Sequence, residues 1–201
     1  MPRFYDVSEG AIYIDGIDIR DVKQHDLREK IGYVPQKGIL FSGDIESNLR
    51  YAKEDATAQE IAEAARIAQA TEIIEAKPEK YATPISQGGT NVSGGQKQRL
   101  SIARALVKRA EIYIFDDSFS ALDFKTDAKL RTELNKMIRE TQATVLLVAQ
   151  RISSIMHADR IVVLDKGCVA GIGTHEELME SCEVYQEIAY SQLSKEELGN
   201  E

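Results

Sequence analysis

The sequence predicts an α/β fold built on a parallel sheet, and three observations carry that expectation. Short, continuous apolar runs at 112–115, 144–149 and 161–164 have the length of fully buried strands. An amphipathic helical pattern at 125–140 separates the first two runs, with Leu130, Leu134, Met137 and Ile138 on its inward side. Strand alternating with helix is the order a parallel sheet requires, because each parallel neighbour is reached by a crossover. A mostly helical stretch at 38–110 is inserted between core strands. The expected division is therefore an α/β core of 1–37 and 111–190, a helical subdomain of 38–110 and a frayed tail at 191–201.

Taken in order, residues 11–14 and 17–19 read as two short strands joined by a tight Asp15-Gly16 turn. Residues 32–36 read as a strand halted by Pro35. Thr57 and Glu60 have the spacing of a capping box, and Ile61, Ala64, Ala65 and Ala68 recur at helical spacing behind them. Residues 84–91 form a Gly-rich loop. A second helix spans 94–108, with Leu100, Ala103 and Leu106 on its apolar side. After the strand at 161–164, Lys166-Gly167 turns the chain into 168–172, and Thr174 with Glu177 caps a last helix.

Composition narrows the function classes. Lys and Arg number 25 against 33 Asp and Glu, giving a net charge of −8. A general nucleic-acid binder needs a basic surface to displace counterions, so no nucleic-acid partner is expected. Cys168 and Cys182 are too few for a disulfide framework or a metal site. No apolar run approaches the roughly 18 residues a membrane span needs. His25, His157 and His175 lack partners at metal-ligand spacing and read as surface histidines, while Tyr5, Tyr33 and Tyr113 read as packing aromatics.

Two local features bear on chemistry. Asp116 and Asp117 end the apolar run at 112–115, and ligands of open parallel sheets bind beyond the carboxyl ends of the strands. Ser93-Gly94-Gly95-Gln96 opens a helix: Ser93 is a natural N-cap, the glycines let an anion approach the backbone, and the helix dipole favours negative charge there. Taken singly, each also fits an ordinary feature, a solvated turn in one case and a capped helix in the other.

In order along the chain they resemble one family. Asn91-Val92-Ser93-Gly94-Gly95-Gln96-Lys97-Gln98-Arg99, Ile114-Phe115-Asp116-Asp117 and Ser120-Ala121-Leu122-Asp123 look like the signature, Walker B and D-loop of an ATP-binding-cassette (ABC) transporter nucleotide-binding domain. Tyr33-Val34-Pro35-Gln36 is similar to the family's Q-loop, and Val148-Ala149-Gln150-Arg151 to its switch loop. Leu164-Asp165-Lys166-Gly167 and Gly173-Thr174-His175-Glu176-Glu177-Leu178 match its closing pattern. Arg3-Phe4-Tyr5-Asp6 and Leu40-Phe41-Ser42-Gly43-Asp44-Ile45 resemble the exporter branch, in which Phe41 and Ile45 would lie where the membrane domain docks.

The resemblance implies a P-loop NTPase-like core, ATP and Mg²⁺ as cofactors, a second such domain and a transmembrane domain as partners, and a position on the cytoplasmic face of a membrane. It also implies roles. Asp116 and Gln36 would hold Mg²⁺, Gln36 would sense the γ-phosphate, Ser93, Gly94, Gly95 and Gln96 would meet nucleotide, Asp123 would cross the dimer interface, and Asp117 and Gln150 would stand at the catalytic positions.

Three positions depart from the pattern. Asp117 stands where the family has a glutamate, Gln150 where it has the switch histidine, and Gln87 where exporters usually have a glutamate. A shorter carboxylate places an attacking water less well, and an amide cannot shuttle a proton. With an intact signature, the pattern resembles the degenerate half of a heterodimeric exporter. No Gly-x-x-x-x-Gly-Lys-Ser/Thr occurs in the 201 residues, so the resemblance puts the phosphate loop and its antiparallel strands upstream of Met1. The rival expectation is a non-catalytic dimerisation or regulatory module that closes on a partner's nucleotide without hydrolysing it.

Overall fold

A computed structural model describes residues 1–192 and divides the chain into two units, Met1–Val148 and Ala149–Glu201. The tail expected to fray from 191 begins inside a helix, and 193–201 lie outside the described residues.

The first unit opens on β1 (Tyr13–Ile14) and β2 (Ile17–Asp18), an antiparallel pair in which Tyr13 faces Asp18. Asp15 and Gly16 turn the chain at φ 51° and 78°, the double positive φ that a two-residue hairpin demands. A short helix, α1 (Gln24–Glu29), leads into β3 (Ile31–Val34), which Pro35 ends. α1 escapes sequence reading because Leu27 is its single buried residue and leaves no period to detect.

Between β3 and the next core strand lie β4 (Gly43–Asp44), α2 (Ile45–Arg50), α3 (Ala58–Ile67), α4 (Thr71–Glu75), β5 (Pro84–Ile85) and α5 (Gly94–Val107). β4 and β5 pair antiparallel, giving the Gly-rich loop a two-residue strand that its composition does not announce. The capping box of α3 is present: the Thr57 N–H donates to Glu60 Oε2 at 2.7 Å and the Glu60 N–H to Thr57 Oγ1 at 3.2 Å. Its apolar face closes, with Ile61, Ala64, Ala65 and Ala68 all buried.

β6 (Ile112–Asp116), α6 (Phe124–Thr141) and β7 (Thr144–Val148) complete the unit. The sheet runs β3-β6-β7, all parallel, with Ile31 beside Ile112 and Ile112 beside Thr144. Side chains alternate across it. Val34, Tyr113 and Phe115 face the large core with Leu100, Ala103, Leu106, Leu130 and Leu134. Ile31, Ile112 and Ile114 face Ile19 and Leu27 on the other side. Burying each such large apolar side chain contributes roughly 1.5–3 kcal/mol, so hydrophobic packing, not surface ion pairs, holds β6 in place.

The second unit corrects one expectation. β8 (Ile161–Asp165) adds no parallel strand; it pairs antiparallel with β9 (Cys168–Gly173) through a turn at Lys166 and Gly167. The turn is too short for the crossover a parallel partner requires. α7 (His175–Ser181) and α8 (Glu183–Gln192) pack Leu178, Cys182, Tyr185 and Ala189 onto Ile161 and Val163. His175 is no plain surface histidine, since its Nδ1 lies 2.8 Å from the buried Tyr185 hydroxyl. Tyr5, read as a packing residue, is 93% exposed, and Ile45, read as a docking residue, is buried in the first unit's core. Among the described residues no helix is long and apolar enough to cross a membrane.

Candidate functional site

The carboxyl ends of β3 and β6 gather three of the residues singled out in the sequence. Asp116 is the last residue of β6, and Asp117 leaves the strand at φ 45°, a left-handed conformation that Asp tolerates better than most residues. Two bonds over-determine it. The Asp117 N–H donates to the Val148 carbonyl at 2.9 Å, and its own carbonyl accepts from Ser120 Oγ at 2.9 Å. The side chain is therefore aimed beyond the sheet, where Gln36 Nε2 donates to Asp117 Oδ2 at 3.1 Å.

Asp116 has a different neighbour. Tyr33 Oη donates to Asp116 Oδ2 at 3.2 Å, and partial burial together with this carboxylate holds the Tyr33 phenol above its ordinary pKa. Tyr33 thus stays a donor across the physiological range. Beneath both carboxylates the wholly buried Ser118 donates from Oγ to the Val34 carbonyl at 2.9 Å, binding the end of β3 to the turn after β6.

A second element presents a helix start. Ser93 caps α5, accepting from the Gln96 N–H at 3.3 Å, while Gln96 Oε1 accepts from the Ser93 N–H at 3.1 Å. That box spends Gln96 on the cap itself. Ser93 and Gly94 are exposed, and a Cβ on Gly94 would meet nothing within 4 Å. The N-terminus of this 14-residue helix is open to an anion on that side. Gly95 instead faces the turn after β6, where a Cβ would lie 3.3 Å from the Ala121 carbonyl oxygen.

Asp123 is the N-cap of α6 and accepts from the Thr126 N–H at 3.0 Å; the Thr126 side chain first, and then this N–H, hold its carboxyl below the usual range. Its side chain is thus engaged within the helix start. Gln150 belongs to the second unit; it is exposed, and its carbonyl accepts from Gln192 Nε2 at 2.8 Å.

Three contributors were not legible as such. Tyr33 looks like a packing aromatic, and Ser118 carries no motif. Gln98 is 2% exposed on the inner side of α5 and bonds the backbone on both sides of Gln36 and Lys37. A signal for it existed, since Gln98 shares helical spacing with the apolar Ile102 and Ala105.

A carboxylate edge suits a cation–phosphate complex and the Ser-Gly-Gly helix start suits an anion, and comparison with known proteins decides the family. The family model described as "ABC transporter" matches residues 1–120. The chain belongs to the ABC transporter family. It is similar to an uncharacterized ABC transporter ATP-binding protein of Mycobacterium tuberculosis, 45% identical over 200 residues, covering 98% of this chain and 34% of the relative. It is 43% identical over 201 residues to the ATP-dependent lipid A-core flippase of Syntrophus aciditrophicus, covering 100% of this chain and 33% of that protein. A solved bacterial Atm1-family ABC exporter with ATP bound matches with a TM-score of 0.91 at 38% identity, over 96% of this chain and 34% of that one.

The chain therefore spans about a third of the length of the curated relatives it matches. It is an ABC nucleotide-binding domain of the type homologous to exporter ATP-binding domains, with the mixed α/β fold of the Atm1-family structure. Among the described residues no three His, Cys, Asp or Glu side chains converge as a metal cage. The donor set still suits Mg²⁺, which commonly takes one or two carboxylates and completes its shell with water and nucleotide phosphates. Asp116 would supply the carboxylate, and Gln36, which gives an amide N–H to Asp117, would offer its carbonyl oxygen.

Proposed function

We propose that this chain is the ATP-binding part of an ABC exporter at the cytoplasmic face of a membrane, and that its own ATP site is the degenerate one of a heterodimeric pair. The supporting observation is the bond from Gln36 to Asp117 beyond the end of β6. In this reading the bonded Asp117 carboxylate serves as the water-positioning group, one methylene short of the family's glutamate. A misplacement of about 1 Å in such a group can cost roughly a hundredfold in rate.

In this reading Asp116 and Gln36 hold Mg²⁺, which when bound neutralises phosphate charge. Gln36 senses the γ-phosphate, Asp117 orients water inefficiently, and Gln150 accepts or donates a hydrogen bond without carrying a proton. Gly94 and Gly95 offer their backbone N–H groups to the ATP held by the partner domain, Ser93 and Gln96 cap that helix start against it, and Asp123 lies at the interface between the two. The partners are a second nucleotide-binding domain and a transmembrane domain. The exposed Ile39, Phe41 and Tyr51 are the apolar surface offered to the latter. The 201 residues alone carry no Gly-x-x-x-x-Gly-Lys-Ser/Thr cradle and are expected to hydrolyse no ATP by themselves.

The test uses the assembled transporter with the partner's own site disabled. Asp117→Glu combined with Gln150→His should raise phosphate release about tenfold or more, because positioned acid–base groups contribute about 10² to 10⁴. No increase would contradict the degenerate-site reading. The rival, a module that never hydrolyses, predicts the same flat result even after the partner's site is restored.

A further inference from the structure

We propose that Gln98 is a positioning residue that locks the Gln36 loop to the phosphate-facing start of α5, so that this chain's own ATP site and the site it completes for its partner respond together. The inference rests on the site reading given above.

Gln98 is an amide on the buried side of α5, only 2% exposed, at helical spacing from the buried Ile102 and Ala105. A buried amide is tolerated only if its polar atoms are matched, and both are. Oε1 accepts from the Gly38 N–H at 2.9 Å, and Nε2 donates to the Pro35 carbonyl at 3.3 Å. One side chain thus grips the backbone on either side of Gln36 and Lys37. Gly38 lets the loop come this close: a Cβ there would lie 2.8 Å from Ser101 Oγ and 3.0 Å from the Lys97 carbonyl.

The same turn of α5 grips a second loop. Lys97 Nζ donates to the Gly88 carbonyl at 2.7 Å, in the loop where Gln87 departs from the family pattern. Ser93 is five residues before Gln98, about 7.5 Å along a rigid helix. A displacement of Gln36 therefore reaches Ser93 through one hydrogen-bonded amide and one and a half helical turns. Coupling carried this way is reciprocal: ordering the α5 start orders the Gln36 loop by the same free energy.

The experiment is a double-mutant cycle in the assembled transporter, reading steady-state phosphate release and ATP retention. Gln98→Leu should lower release about tenfold to a hundredfold while ATP is retained, the loss expected when a reacting group shifts by about 1 Å. In a Gln36→Ala background, Gln98→Leu should cost no more than about a further twofold, because residues acting as a unit are not additive. Gln98→Glu keeps the acceptor for Gly38 but loses the donor to Pro35; it should fall between Gln98→Leu and wild type, and it serves in the cycle if Gln98→Leu does not fold. Unchanged release in Gln98→Leu, or a full additive loss in the Gln36→Ala background, would overturn the proposal. Were Gln36→Ala and Ser93→Arg each to leave release unchanged, the site reading itself would fall, and this inference with it.

Discussion

A methyl group on Gly95 would lie 3.3 Å from the carbonyl oxygen of Ala121, so the first turn of α5 and the loop leading to Asp123 meet backbone to backbone. Two effects oppose each other in Gly95→Ala. Helix propensity favours Ala over Gly by about 0.8–1 kcal/mol in a helix interior and by less in the first turn, while the methyl pushes against Ala121. The expected outcome is a melting midpoint near wild type with phosphate release by the assembled transporter reduced about tenfold or more, since small displacements of positioned groups are costly. Wild-type release would mean that this close approach serves packing alone.

The parts of the fold that were legible are those where one physical signal dominates. The run at 112–115 is apolar on both sides because β6 lies between β3 and β7 and is covered on both faces. The capping box at Thr57 and Glu60 is local chemistry and needs no tertiary information. The pairing of β8 was misread because apolar length alone does not tell a parallel neighbour from an antiparallel hairpin. Asp116, Asp117, Gln36 and Ser93 were legible through motif order, whereas Tyr33, Ser118 and Gln98 act through bonds to residues 60 or more positions away. Periodicity cannot reach such partners.

β7 pairs with β6 along one edge, and no strand of the described residues pairs with the other. β6, by contrast, is flanked on both sides. Leu146 and Val148 on β7 are 37% and 53% exposed. An apolar strand with an open edge is a template for association. The 201-residue chain alone is expected to self-associate at micromolar concentration, and Leu146→Lys with Val148→Lys to shift it toward monomer. Size-exclusion chromatography with light scattering measures this; a monodisperse wild-type monomer would contradict the expectation.

Glu60 is held down at a pKa of about 2, first by Lys53 and then by the Thr57 N–H it caps. A carboxyl depressed on folding stabilises above its unfolded pKa, near 4.5, and loses that contribution as pH falls toward the folded value. In the lysine-substituted, soluble background, Glu60→Gln should therefore melt earlier than its parent at pH 7, and the gap should close between about pH 4.5 and 2. A gap independent of pH would show that Glu60 acts through its shape rather than its charge.

The central claim, that the start of α5 serves a nucleotide held by the partner domain, is tested most directly at Ser93. Ser93→Arg puts a bulky cation at the exposed cap of the helix and removes the hydroxyl that accepts from the Gln96 N–H. Binding of ATP to the partner's own phosphate loop needs neither. The measurement is paired, on the assembled heterodimer: nucleotide retained and phosphate released in the steady state. The account predicts retention near wild type with release reduced about a hundredfold or more, the scale of losing one preorganised donor at a reacting phosphate. Release near wild type would contradict it.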